Sequence, residues 1–326
     1  MAMERVPYLV GGGFEHSAEV MRAMLAAATS GAEGIVTPGD FKVQPLAVPG
    51  TSVRVAPGNG LVRNSYGGGQ AQTYACRAGS QTEVPIAATG SSGWRNDLIV
   101  ARIDDPTYQG GSFDPATFEA ARFEVISGVP SDQKDVSGLG LSYPAIPLAR
   151  LNVPPSTGTI TAAMITDLRK VALPRVERHL FTHNLSTEES DYINPTPGDE
   201  MGEAWPNVFW EFSIPSWASR VRVRAILGGV RVEEKSPNNY GNLFVRFGTV
   251  PTGFSTQYGR WDNSMAGGIT RQTFMVADDR SVPSSFRGID TRAYIRATRK
   301  NNNNNVPLLD TFSSISLDLE FYETAV

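Results

Sequence analysis

The stretch that most restricts this chain is residues 34–60, GIVTPGDFKVQPLAVPGTSVRVAPGNG, where turn residues recur too often for any helix to form. Thr37-Pro38-Gly39-Asp40 and Ala56-Pro57-Gly58-Asn59-Gly60 mark two turns. Between them, Val53 and Val55 point to one face while Ser52 and Arg54 point to the other. Such a stretch opens a β-sandwich or barrel, and residues up to about 172 supply the other strands of the same unit.

The whole chain is punctuated in the same way. Its 326 residues hold 32 glycines and 22 prolines, a balance that favours many short strands over long helices. With 40% hydrophobic content, that length supports two ordinary cores. The expected class is mainly β: an N-terminal helix with a β-sandwich or barrel domain, then an antiparallel, jelly-roll-like β-sandwich. The net charge of −4 and scattered Lys and Arg offer no footprint for nucleic acid or an anionic membrane. One cysteine, Cys76, excludes an internal disulfide framework and a Cys-based zinc site. No segment has the apolar length to span a bilayer, and residues 1–10 lack a secretory h-region, so no membrane insertion and no signal peptide are expected.

Residues 14–29 read as the clearest helix, with Ser17 as N-cap, Val20 and Met24 at helical spacing, and Gly31 as the stop. Gly67-Gly68-Gly69 forms a hairpin tip, since no Lys-Ser/Thr follows it to make a phosphate loop. Residues 97–105, DLIVARIDD, are apolar on both sides and form the central strand. Its terminal pair, Asp104 and Asp105, reads as a solvated strand end whose carboxylates diverge. Residues 113–123 open at Asp114-Pro115 as a short helix or loop, residues 121–127 and 147–153 are strands, and Thr159 or Thr161 caps a short helix running through residues 167–170.

In their order and spacing, residues 15–62, DLIVARIDD at 97–105, ARFEVISGVPS at 121–131 and PAIPLARLNVPPSTGTITAAMITDLR at 144–169 resemble the N-terminal module of minor tail proteins of long-tailed phages that infect actinobacteria. The resemblance covers residues 1–173, and its most specific parts are GIVTPGDFKV and the PLAR-to-ITDLR segment. It implies a β-rich domain anchored in the tail tip or baseplate among other tail proteins. A variable C-terminal domain that meets the host surface would follow, and the chain would reside in the virion. No receptor-binding subtype is recognisable in the C-terminal half.

Residues 174–178 read as a linker, a proline among charged residues between two patterns. His179 and His183 would share a face of a strand, without a third ligand to make a metal site. Residues 209–214, 220–232, 243–249, 272–277, 292–298 and 314–322 show period-two patterning, so residues 179–326 form antiparallel strands with one wet face each. In Arg220 to Arg224 the order R-V-R-V-R sends Val221 and Val223 inward; Leu317, Leu319 and Phe321 do the same near the end.

Function in this half falls to loops. Residues 186–205, 236–240, 256–265 and 300–305 are the long ones, the last a lysine followed by five asparagines that read as a hairpin tip or disordered turn. A sugar site pairs an aromatic ring with polar groups for the hydroxyls. That chemistry selects Tyr258, Arg260, Trp261, Asp262 and Asn263, with Trp261 in an exposed loop, and Tyr240 from the SPNNY loop. Trp205, Trp210 and Trp217 flank strands and belong to core or interface.

The chain carries no G-x-S-x-G elbow, HExxH, Walker loop or Cys/His nucleophile pair, so no enzyme activity and no cofactor are expected. Glu188 or Glu189 with Asp191 or Asp199 is the pairing a glycan hydrolase would use. The resulting expectation is a virion structural protein, a homo-oligomer and specifically a trimer, that adheres to a host cell-wall polysaccharide. The alternatives are a tail-associated glycan hydrolase or a tail-tip scaffold without host contact.

Overall fold

The computed structural model describes residues 17–69, 71–110, 114, 117–186, 191–233, 238–249, 252–263, 268–303 and 305–325. Two compact units result, Met1–Leu173 with Ala325–Val326, and Pro174–Thr324.

The first unit starts with α1 (Ala18–Ala28), followed by β1 (Gly34–Ile35), β2 (Val43–Pro45), β3 (Ser52–Val55), β4 (Gly58–Arg63), β5 (Thr73–Ala78) and β6 (Thr82–Pro85). It continues through β7 (Arg95–Ile103), β8 (Ala121–Ser127), β9 (Ala145–Val153) and β10 (Ile165–Asp167). Its three antiparallel sheets run β1-β4-β5, β2-β3-β6 and β10-β9-β7-β8, so β7 lies inside its sheet as its two-sided apolar pattern requires. Ile35, Val53, Val55, Ile99, Leu148 and Leu151 are fully buried in the shared core.

Ser17 caps α1, its Oγ accepting from the Val20 amide at 3.2 Å, and Gly31 ends the helix region at φ 67°. No residue of α1 is buried. Instead Arg22 holds it: its Nε donates to Gln72 Oε1 at 2.7 Å, one guanidinium nitrogen lies 3.2 Å from Asp105, and its carbon sits 5.1 Å from the Tyr74 ring centre. The start of the expected helix, residues 14–16, lies outside the described residues, as do Phe113, Pro115 and Ala116 of the expected 113–123 segment.

Three expectations for this unit are corrected. Gly58-Asn59-Gly60, read as part of a turn, open β4 and pair with Ala78, Arg77 and Cys76. Asp104 and Asp105 do diverge, but they are buried rather than solvated. Asp104 binds Arg102 at 2.7 Å and also Arg122, while Asp105 accepts from the Tyr74 hydroxyl at 2.8 Å and the Thr107 amide at 2.9 Å. Burial raises both carboxyls' pKa values, yet these hydrogen bonds and arginine charges bring them below the ordinary range. The helix expected near residue 167 is one 3-10 turn, Ala162–Met164, without a side-chain cap. Ile165, Thr166 and Asp167 pair with Leu151, Arg150 and Ala149 instead, because satisfying a sheet edge outweighs a short helix.

Residues 34–43 and 147–169 meet in space. Arg169 donates to the carbonyls of Pro38 at 2.9 Å and Asp40 at 2.7 Å, which locks the TPGD turn. Gly34, at φ 134°, lies where a Cβ would be 2.2 Å from the Lys170 carbonyl oxygen, so only glycine fits.

The second unit holds β11 (Val176–Asn184), β12 (Asp191–Tyr192), β13 (Glu203–Ala204), β14 (Trp210–Ser213), β15 (Arg220–Glu233) and β16 (Tyr240–Phe247). Then come β17 (Phe254–Ser255), β18 (Gly259–Asp262), β19 (Ile269–Ser281), β20 (Asp290–Ala297), β21 (Leu308–Leu309) and β22 (Ser314–Tyr322). One antiparallel sheet runs β11-β22-β15-β21-β12 with β19 on β15; the other runs β13-β20-β16-β17 with β14 on β20 and β18 on β16. Val221, Val223, Leu317, Leu319 and Phe321 enter the core between them, as the alternation requires, together with Val245, Phe247 and Ile295 from the second sheet. The outward arginines meet carboxylates across strands, Arg222 with Glu320 at 2.6 Å and Arg220 with Asp279 at 2.9 Å. The strand β11 begins at Val176, inside the segment read as a linker, because Val176 to Asn184 pair residue by residue with Tyr322 to Ser314.

Candidate functional site

The site is built where β16, β18 and the end of β20 meet. Across β16 and β18 the register places Tyr240 against Asp262, Gly241 against Trp261 and Asn242 against Arg260. Alternation then decides exposure: Tyr240, Arg260 and Asp262 face outward while Trp261 turns into the core. Gly241 makes this possible, because a Cβ there would lie 1.9 Å from the Thr298 carbonyl oxygen and 2.7 Å from Trp261 Nε1. In its absence the indole crosses over and donates to the Thr298 carbonyl at 3.0 Å.

The asparagine run is neither a hairpin tip nor a disordered turn: the strands on either side, β20 and β21, lie in different sheets, and the run braces the neighbouring loops; Asn304 alone lies outside the described residues. Asn301 donates from its backbone to Asn239 Oδ1 and from its side chain to the Asn238 carbonyl, each at 3.0 Å. Asn239 donates its amide to Asn263 Oδ1 at 2.8 Å, and Asn263 in turn donates to the Asn305 carbonyl. Asn is the residue suited to this, since one side chain donates and accepts at once.

These elements frame an open depression of about 520 Å³. Tyr240, Asn242, Arg260 and Asp262 line it from the strands, Lys300 from the segment after β20, and Asp199 and Glu200 from the facing loop. The loop is tied down by the Gly198 amide donating to the Arg299 carbonyl at 3.2 Å, while Arg299 Nε donates to the Pro195 carbonyl at 2.7 Å. Tyr240 is 46% exposed beside these carboxylates and cations. An aromatic surface flanked by acceptors and donors can hold a polyhydroxylated ring by stacking and hydrogen bonding.

Of the six residues selected from sequence, four line this depression: Tyr240, Arg260, Trp261 and Asp262. Trp261 is corrected in one respect. It lies on β18 rather than in an exposed loop, is 2% exposed, and offers a ligand no ring face. Tyr258 is exposed but outside the lining, with its ring edge-on to Phe244 at 5.2 Å. Asn263 is buried and braces the loops. Met265 and the Ser236-Pro237 part of the SPNNY loop lie outside the described residues.

Glu200 and Asn242 did not emerge from sequence, because Asn242 is placed by strand pairing and Glu200 by a loop tied to Arg299; Lys300 was legible only as the residue preceding the asparagines. Among the hydrolase carboxylates, Glu188 and Glu189 lie outside the described residues, and Asp199 lines the depression. Asp191 does not line it: it accepts from the Asn207 amide at 2.7 Å, and burial pushes its pKa up. Glu203, which accepts from the Asn194 amide, is also pushed up, by burial and then by the Asp191 charge.

Trp205 and Trp210 are buried in the core and Trp217 packs against it. His179 and His183 share the inward face of β11, where His179 stacks on Phe181 at 6.0 Å; among the described residues no group of three metal-ligating side chains occurs. Cys76 is buried, which pushes its thiol up to about 11.

No protein-family model and no curated protein sequence matches the chain. Among solved structures, the VP2 subviral particle of infectious bursal disease virus is similar over 90% of this chain and 68% of its own, at 12% identity and a TM-score of 0.29. The T13 particle of the same virus gives 91% and 70%, 13% identity and 0.26. A carbohydrate-binding module of the β-sandwich superfamily gives 90% and 98%, 9% identity and 0.18. At scores this low, these likenesses carry no argument about function.

Proposed function

We propose that this chain is a non-enzymatic structural protein of a phage virion. In this reading its first unit anchors it among tail-tip or baseplate proteins and its second adheres to a host cell-wall polysaccharide. One observation carries the adhesive part: Tyr240, Arg260 and Asp262, chosen for sugar chemistry, converge with Asp199, Asn242 and Lys300 on one open depression. The anchoring part rests on the resemblance of residues 1–173 to the N-terminal module of phage minor tail proteins. A homotrimer would let three weak sites act together through effective concentration.

The full chain titrated with polysaccharide purified from actinobacterial cell walls tests this. Wild type binds, and Tyr240→Ala and Asp262→Asn each weaken binding at least tenfold with little change in thermal stability. Equal binding by all three proteins sinks the adhesive site. Three carboxylates on one depression, Asp199, Glu200 and Asp262, favour a glycan hydrolase as the second reading. Release of reducing sugar from the same polysaccharide, lost in Asp199→Asn, would establish it. If the chain binds no polysaccharide and particles lacking it fail to assemble, its role is that of a scaffold.

A further inference from the structure

The sheet face that carries the Tyr240 depression carries another at its far end. Strand β20 lies inside its sheet, with β16 along one side and β14 and β13 along the other. Ala293, Ile295 and Ala297 point into the core, so Arg292, Tyr294 and Arg296 point outward. The ladder to β16 runs on past β20: the Thr298 amide donates to the Asn242 carbonyl and the Lys300 amide to the Tyr240 carbonyl, each at 2.9 Å. Arg292 and Lys300 therefore share one face of one extended segment, eight residues or about 26 Å apart along it.

This far end repeats the chemistry of the first site. Glu211, Ser213, Asp290 and Arg292 line an open depression of about 500 Å³. Arg292 pairs with Glu211 at 3.0 Å, and Asp290 accepts from the Ser213 hydroxyl. An aromatic ring stands beside them. Phe209 packs on Tyr294 at 5.9 Å, its ring centre lies 4.5 Å from the Arg292 guanidinium carbon, and it remains 45% exposed. These contacts fix the ring before a ligand arrives, so stacking on it costs little conformational entropy.

We propose that this depression is a second carbohydrate subsite, where one sugar ring stacks on Phe209 while its hydroxyls bond Glu211, Asp290 and Arg292, and that it takes a distant unit of the same polysaccharide chain held at Tyr240. Three features select this occupant. An aromatic ring beside both donors and acceptors suits a hydroxyl-bearing ring. One cation against two carboxylates repels a polyanion. With both sides of β20 paired, no peptide can add a strand to it. Two contacts so far apart on one polymer strengthen each other through effective concentration.

The inference rests on the adhesive reading for its ligand class. Its test uses the full chain and the actinobacterial cell-wall polysaccharide, intact or cut into fragments too short to span about 26 Å. By calorimetry the wild type binds two short fragments per chain, and Phe209→Ala and Tyr240→Ala bind one each. Intact polysaccharide binds the wild type at least tenfold more tightly than fragments do, and Phe209→Ala loses that gain. The wild-type stoichiometry needs no variant, so a folding defect in Phe209→Ala does not blunt the test. One fragment per wild-type chain, or intact polysaccharide held equally well by Phe209→Ala, overturns the proposal. If Phe209→Ala drops a fragment and Tyr240→Ala drops none, the Tyr240 reading fails and the second subsite stands; the reverse spares that reading and overturns the subsite. Failure to bind any fragment overturns both.

Discussion

Tyr240 and Trp261 have neighbouring positions on paired strands and opposite roles. Tyr240 is half exposed on the outward face, so Tyr240→Ala changes stability by about 0.5 kcal/mol or less while removing the ring that would stack on a ligand. Trp261 fills the core and satisfies the Thr298 carbonyl. Its truncation to Ala costs about 3–5 kcal/mol, visible as a lower urea midpoint, so lost adhesion in that variant would report unfolding rather than a missing contact. Arg22 presents a similar contrast. Its substitution by Ala deprives Asp105 of a cation and loosens a helix that has no fully buried residue. We expect a loss of about 1–3 kcal/mol, with faster amide exchange in residues 18–28.

At the level of elements, pairing outweighed local composition. TQYGRWDN looks like a loop by its turn-forming residues, yet Gly259–Asp262 becomes β18 because β16 offers it an edge and Gly259 leaves room where a Cβ would come 2.9 Å from the Met275 carbonyl. The same dependence on close approach makes Gly241→Ala a sharp test. The added methyl collides with Thr298, so the variant loses about 1–3 kcal/mol or more by overpacking. Trp fluorescence should shift with it, as the indole leaves its carbonyl. β22, and β15 on either side of its bulge at Gly228-Gly229, were legible from sequence because alternation gives each one buried and one wet face. The single-turn Ala162–Met164 and the early start of β11 were not, since each was decided by strand pairing, of residues 165–167 with β9 and of β11 with β22 far along the chain.

For the whole molecule, stability should depend on pH in two separate windows. Asp191 and Glu203 have folded pKa values raised above the ordinary 3.8 and 4.5, so protonation favours the native state. Their contribution is present below the ordinary value and is lost as pH rises through the folded one. Asp104, Asp105, Asp310, Asp318 and Glu323 are lowered, so their contribution is present above the ordinary value and is lost as pH falls through the folded one. Melting temperature should therefore rise on mild acidification and collapse once pH falls well below 3.8. Asp191→Asn, which keeps an acceptor for the Asn207 amide, should raise stability at neutral pH and flatten the upper window. Sedimentation of the full chain should give a species three times the 35.2 kDa chain mass, and a lone monomer would remove the trimer from the proposed function. The amino-acid sequence by itself determined the β-rich class, the inward and outward faces of the long strands and the chemistry of the candidate site, because turn residues and period-two alternation act over a few neighbouring residues. Only the tertiary structure decided that Trp261 is core, that Asp104 and Asp105 are buried ion pairs, and that residues 199, 240, 260 and 300 share one depression. Those outcomes depend on backbones that meet across tens of residues, where a missing Cβ or a paired edge sets which side chain reaches which partner.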